Sequence, residues 1–269
     1  MAHMPIPSAV PSRAELIDHL VRTRTAGDVA TPREINLSHY RSLADSDRRF
    51  WFGLELGDRW TDEGDVLAVM AERCGVNGDP QHRSGQDTIA PELTVGALER
   101  MAAVLRKAAE AQARVLFATG HPGALLEVHS ATASALHAAG CEIVDIPDGL
   151  HVNDENVVQL CDVAMLERAA RLRHTHSPAP MEAALDGMLR AGQPLPELVV
   201  ADHGWAGYAG QYGIDTVAYA DCNDPALFLG ELEGTIEVVV PLDDHISNPR
   251  LYAPMTAYLL DRAGLTAQF

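Results

Sequence analysis

The chain has 269 residues, 47% of them hydrophobic, enough for one large α/β domain or two small ones. Thirty-eight acidic against 20 basic residues leave a formal charge of −18, which argues against the basic stripe that nucleic acid requires and disfavours an anionic membrane surface. No apolar run approaches the roughly 20 residues that span a bilayer, and the N-terminal stretch MAHMPIPSAVPSRAE lacks a basic region followed by an apolar one, so a cytoplasmic protein without a secretory signal is expected.

In chain order, MAHM reads as a cloning remnant outside the fold. Residues 12–26, SRAELIDHLVRTRTA, read as an amphipathic helix with Ser12 as N-cap and Glu15 at the capping-box position. Residues 36–75 carry two more helical patterns, around RRFWFGLEL and DEGDVLAVMAERCGV. The aromatics of 48–54 are expected to be buried under these helices; an oligomer contact is the alternative, and a homodimer is left open. The stretch 76–93, VNGDPQHRSGQDTIAPEL, is rich in Gly, Pro and polar residues and reads as a long loop.

From residue 94 the pattern changes. TVGALERMAAVLRKAAEAQA has helical spacing, and RVLFATG (114–120) reads as a buried strand. A helix over 124–140 ends at Gly140, and CEIVDI (141–146) reads as the next strand. NVVQLCDVAML (156–166) fits a strand or a hairpin, and 180–192 a helix. Strands come next at 197–202, 215–221 and 236–244, with a last helix at about 249–263. Strand–helix alternation predicts an α/β fold: an open, mostly parallel, Rossmann-like sheet with helices on both faces, preceded by a mainly helical N-terminal segment. The expected boundaries are a helical segment or cap over 1–93 and one compact α/β catalytic domain over 94–269.

Two chemistries are excluded early. Lys107 is the sole lysine, and no G-x-x-x-x-G-K-[ST] stretch is present, so a P-loop is not expected. Cys74, Cys141, Cys161 and Cys222 are widely spaced and form no C-x-x-C, so they read as buried reduced thiols.

Ligands of open α/β sheets bind beyond the C-terminal ends of the strands. The residues just after the predicted strands share a character. The first tip gives Thr119, Gly120, His121 and Gly123; the second gives Asp148 and His151. The 156–166 segment leads to Arg173, His174, His176 and Ser177. The later tips give Asp202 and His203, then Asp221, Asn223 and Asp224, then Asp243, Asp244 and His245. Asp and Asn gather in such loops as helix caps, but imidazole has no comparable capping preference. Of the eight histidines from position 121 on, six fall in these loops; His129 and His137 lie in a predicted helix and read as fillers.

Carboxylates with histidines hold divalent metals, and a metal there can polarise a phosphoryl oxygen. The expected metal ligands are Asp202, Asp221, Asp224, Asp243 and His245, with Mg²⁺ or Mn²⁺ ahead of Zn²⁺. Candidate acid–base and catalytic groups are His121, His174, His176, Asp202, His203 and Asp244, since histidine titrates near neutrality. Thr119, Gly120, Gly123, Ser177, Arg173 and Asn223 are the candidates for holding a small anionic substrate.

TGHPGALL, HTHSPAPM, VADHGWAG, DCNDPAL and VPLDDH together resemble a bacterial family of soluble proteins labelled generically as phosphatase. The resemblance covers most of the chain and is strongest over about 114–250. It implies phosphomonoester hydrolysis on an α/β fold. A metal-dependent hydrolase of a sugar phosphate or nucleotide is thus the leading expectation. A phosphosugar- or nucleotide-binding domain, or an isomerase or lyase of a phosphorylated sugar, is the alternative. Clustered aspartates separate the two, because they repel an anion unless a metal accompanies it.

Overall fold

The computed structural model describes residues 10–246 and 248–265. The MAHM remnant lies outside them. The N-terminal part comprises α1 (Arg13–Thr23), β1 (Gly27–Pro32), α2 (Arg33–Ala44), a 3-10 turn at Arg48–Phe50, α3 (Glu63–Arg73) and β2 (Gln86–Ile89). The Ser12–Glu15 capping box forms in both directions, as the sequence predicts. β1 and β2 pair as a two-stranded antiparallel ribbon. The sequence pattern predicts a loop over the second strand and nothing over the first, because neither GDVATP nor QDTI shows an alternating apolar pattern. What holds the ribbon is polar. Arg33, fully buried, donates to Asp87 Oδ2 at 2.9 Å, and Asn36 donates to the same oxygen at 2.9 Å. A buried ion pair satisfied on this scale tolerates desolvation; removing either partner strands a charge.

The rest of the chain runs α4 (Pro91–Ala111), β3 (Arg114–Ala118), α5 (Pro122–Ala138), β4 (Glu142–Ile143), β5 (His151–Val152), β6 (Glu155–Leu160), β7 (Val163–Arg168), β8 (Arg171–Arg173), α6 (Ala179–Ala191), β9 (Leu198–Asp202), α7 (His203–Tyr212), β10 (Asp215–Ala220), α8 (Pro225–Glu233), β11 (Val238–Pro241), a 3-10 turn at Pro249–Tyr252, and α9 (Ala253–Ala263). The main sheet has the order β11-β10-β9-β3-β7-β6-β5. The strands from β11 to β7 are mutually parallel; β6 and β5 turn antiparallel. One edge of β3 is shared. β4 pairs with Arg114 and Val115, and β7 with Phe117 and Ala118. Higher up the same edge of β7, β8 pairs antiparallel to it. The fold is α/β with a mostly parallel sheet, as expected. The 156–166 segment is the hairpin of β6 and β7.

Central parallel strands are buried on both faces, which explains their unbroken apolar runs: every residue of β9 and β11 is buried. Helices α4, α5 and α9 cover one face, and α6, α7 and α8 the other. Leu16, Leu20, Tyr40 and Phe52 belong to the same apolar core as Phe117, Val199 and Leu259, so the N-terminal elements share the core of the sheet.

Three further features depart from the sequence reading. RRFWFGLEL, expected to be helical, forms only the 3-10 turn at Arg48–Phe50, its Phe and Trp side chains being held by packing rather than by a helix face. CEIVDI yields only a two-residue strand, so Asp148 and His151 do not stand at a tip beside β3; His151 lies on β5, at the outer edge of the sheet. Cys161 is exposed, whereas the other three cysteines are buried; all four are free.

The connections create a crevice. From β9 the chain steps through α7 to β10 and through α8 to β11. From β3 it steps through α5, on the opposite face, to β4 and then β7. The strand order therefore reverses between β3 and β9. Such reversal leaves a gap outside the strand ends, where α/β proteins bind ligands.

Candidate active site

The tips of β3 and β9 are tied together across this gap. Asp202, fully buried, accepts from the Gly120 amide at 2.7 Å, the Thr119 hydroxyl at 2.5 Å and His203 Nδ1 at 2.9 Å. His203 is held at its other nitrogen too: Nε2 stands 2.8 Å from Asp224 Oδ2. Its φ of +46° lies in the left-handed region, a strained backbone for a residue with a side chain. Two carboxylate hydrogen bonds fix that geometry. Gly204 is next in the chain, and a Cβ there would stand 2.3 Å from the Ser177 carbonyl carbon, so the 174–177 loop can lie directly on the start of α7. α7 is glycine-rich and a poor helix by propensity; close packing of loops against Gly204 and Gly207 overrides it.

Five imidazoles converge here. The His121 ring centroid is 4.1 Å from that of His203, 3.9 Å from that of His174 and 5.6 Å from that of His245. His176 stacks on His203 at 4.3 Å. Phe52, in the segment before α3, packs edge-on against His176 and His203. The aromatic run at 48–54 is thus core, and one of its rings forms a wall of the site.

Charge divides the cluster. Burial opposes the charged form of His203, but Asp224, Asp202 and Asp244 outweigh it and hold its pKa well above the ordinary value. The Asp221 and Asp244 carboxylates, 3.3 and 3.2 Å from its Nδ1, raise His245 to about 11. Burial, reinforced by charged His203, lowers His176 to about 3; burial and the neighbouring His121 lower His174 to about 4. Among the carboxylates, burial raises Asp221 to about 6 despite His245. Burial also works against the Asp202 charge, yet the imidazoles of His121, His129 and His203 around it keep its pKa well below the usual range.

The acidic side is built by β10, β11 and the ribbon. Asp221 Oδ2 accepts from the Thr31 hydroxyl at 2.7 Å, and Asp243 Oδ2 from the Ala30 amide at 3.0 Å. The Tyr252 hydroxyl donates to the Asp243 carbonyl at 2.5 Å, and His39 Nδ1 stands 2.9 Å from the Asn223 carbonyl. Asp221, Asp224, Asp243 and Asp244 are all buried. Several polar atoms facing this space have no hydrogen-bond partner among the described residues: His121 Nε2, His176 Nε2, Asp224 Oδ1 and both oxygens of Asp244. Among the described residues, four triads have donor atoms within 4.8 Å of one another and could hold a metal: His121–His176–His203, His121–Asp244–His245, His203–Asp224–Asp244 and Asp221–Asp243–His245.

The expected residues therefore gather in one place, with different neighbours. Asp202 belongs to none of the four triads. Its oxygens face Thr119, Gly120 and His203, and its contact with the chemistry runs through His203. Thr119 and Gly120 direct their donors to Asp202. Arg173 is exposed and donates to Glu155, and the Ser177 hydroxyl accepts from the Ala179 amide at the start of α6. Gly123 is exposed in the first turn of α5. Asn223 is buried, with its Oδ1 unpartnered. Cys222 lies inside the loop, its thiol pushed well up by burial and by Asp221. Sequence reasoning misses Thr31 and Ala30, whose segment shows no pattern, and it expects Phe52 to be buried without placing it at the site. It also takes His129 for a filler; that residue is fully buried, with Nε2 3.5 Å from Asp202 Oδ2.

Comparison with known proteins gives the chain its family. A family model described as Phosphatase matches residues 11–267. A Streptomyces coelicolor protein named as a phosphatase is 71% identical over 262 residues, covering 97% of this chain and 100% of that relative. The match runs through all of the strand tips described above, and the chain belongs to the Phosphatase family.

Proposed function

We propose that this phosphatase hydrolyses a phosphate monoester of a small metabolite, a sugar phosphate or nucleotide, and that it does so with a divalent cation, Mn²⁺ or Mg²⁺ ahead of Zn²⁺. The observation that carries the reading is the set of buried, unpartnered donor atoms of His121, His176, Asp224 and Asp244, all facing one space. Buried polar atoms without partners are costly, and a mixed set of imidazole and carboxylate is a donor set for a divalent metal. Without a cation, this many buried carboxylates would repel a phosphate ester.

A bound cation would supply Lewis-acid polarisation of the phosphoryl oxygens and a water acidic enough to attack. The protein's own groups do the rest. Asp202 fixes the tautomer and aim of His203 by accepting a hydrogen bond from Nδ1–H. α5 begins at Pro122, which has no amide hydrogen, and the Ala124 and Leu125 amides bond the His121 carbonyl, so Gly123 supplies the amide for the anion at this helix N-terminus. His174 lies outside the four triads and reaches solvent. Its ring is the one free to carry a proton between water and the leaving oxygen. Phe52 excludes water behind His176 and His203.

The test is metal content of the purified protein by elemental analysis, paired with hydrolysis of an aryl phosphate with and without chelator. Turnover that chelator abolishes and Mn²⁺ or Mg²⁺ restores supports the reading. Full turnover in metal-free protein ends it.

A further inference from the structure

The cation site has two chemically different halves, and Asp244 stands between them. The residue is 1% exposed, and neither carboxylate oxygen has a hydrogen-bond partner among the described residues. Oδ2 lies 3.5 Å from His203 Nε2. Oδ1 lies 3.2 Å from His245 Nδ1 and 3.7 Å from His121 Nε2. The two oxygens therefore face different groups of donors. Beyond Oδ2 are His203 and Asp224, whose Oδ1 is also unpartnered. Beyond Oδ1 is His245, which forms its own triad with Asp221 and Asp243.

Each half has its own supports. Asp202 orients His203 from behind at 2.9 Å. On the other side, the Thr31 hydroxyl and the Ala30 amide orient Asp221 and Asp243 at 2.7 and 3.0 Å. Outer hydrogen bonds of this kind aim metal ligands. One set of supports would suffice for one ion; the structure has two, one at the tip of β9 and one on the β1 ribbon.

We propose that the site holds two divalent cations together, bridged by the Asp244 carboxylate. This rests on the reading above that a cation binds at all. One ion takes His203, Asp224 and Asp244 Oδ2; the other takes Asp221, Asp243, His245 and Asp244 Oδ1. The second half is richer in oxygen, so it favours the harder ion, Mg²⁺ or Mn²⁺. The first half, flanked by His121 and His176, accepts softer ions as well. Paired cations suit a phosphate monoester dianion, whose attacking and leaving oxygens both need charge stabilisation.

The test uses the full chain, stripped with chelator and reloaded with Mn²⁺ alone. Bound Mn²⁺ per chain is measured by equilibrium dialysis with elemental analysis, and its paramagnetic resonance spectrum is recorded. The expected result is two equivalents with a spin-coupled spectrum. Asp243→Asn should retain one equivalent with the uncoupled six-line spectrum of an isolated ion. Where that variant fails to fold, Thr31→Val should weaken the second equivalent about 10- to 100-fold and leave the first unchanged. Asp244→Asn should abolish the coupling. Saturation of the wild type at one equivalent overturns the pair and leaves the single-cation reading standing. No bound Mn²⁺ overturns both.

Discussion

Gly120 and Thr175 clasp each other where the tip of β3 meets the loop before α6. The Thr175 amide donates to the Gly120 carbonyl at 3.0 Å, and a Cβ on Gly120 would stand 2.2 Å from the Thr175 carbonyl oxygen. His174 and His176 flank Thr175, so this contact sets their height over the crevice. Gly120→Ala should push the loop away. The expected outcome is a loss of about 1–3 kcal/mol in stability and a fall of roughly 100-fold in turnover from misplaced groups. Denaturant unfolding and steady-state kinetics check both. Unchanged turnover would detach the loop from the reaction.

Asp202→Asn removes a charge but little volume. The amide cannot accept from the Thr119 hydroxyl, the Gly120 amide and His203 at once, and His203 loses the carboxylate that holds its Nδ1 proton. Metal affinity should fall about 10- to 100-fold, the usual cost of losing a carboxylate behind a metal-ligating histidine. Metal titration followed by calorimetry measures it. A stoichiometric loss of one ion instead would make Asp202 a direct ligand.

Thr31→Val deletes the hydroxyl that donates to Asp221 and keeps the shape of the side chain. Stability should drop by about 1 kcal/mol, the net worth of one hydrogen bond to a buried acceptor. Activity at limiting Mn²⁺ should fall and recover at high Mn²⁺. Recovery that fails at every metal concentration would show that the ribbon acts on substrate.

The metal-free protein should be most stable near neutral pH. His245, raised from 6.5 to about 11, contributes stability that is complete below 6.5 and disappears as pH rises towards 11. His174 and His176, lowered to about 4 and about 3, act in the opposite direction. Their neutral forms are native, so their contribution disappears as pH falls below 6.5. Thermal melting of chelator-treated protein from pH 4 to 10 should therefore fall on both sides. Metal uptake at pH 7 should release protons from His203 and His245, so affinity should rise with pH. Proton release, read by calorimetry in buffers of different ionisation enthalpy, checks the sign.

The strand tips were legible because parallel strands leave an uninterrupted apolar run, and the residues just past the end of that run must sit at the ligand edge. His121, Asp202, His203, Asp221, Asp224, Asp243, Asp244 and His245 all meet on that logic. It failed at Asp148 and His151, where the run stops after two bonded residues and the chain departs into the β5–β8 arm. It could not reach Thr31 or Phe52, since each acts through contacts that leave no trace in local periodicity. Nor could the sequence separate Asp202, whose oxygens serve neighbouring loops, from Asp244, whose oxygens are open. That difference is a matter of partners in space, not of residue type.

The site is laced from both ends of the chain. Asp243 meets the Ala30 amide through its carboxylate and the Tyr252 hydroxyl through its carbonyl, over sequence separations of 213 and nine residues. During synthesis, the ribbon and α2 emerge long before β11 exists. The amides and hydroxyls at 30–31 must wait for their carboxylates until nearly all of the chain has left the ribosome. Closing such long loops is the slow step in folding. A nascent chain therefore has no intact acidic pocket, and the buried carboxylates gain their partners only in the finished protein.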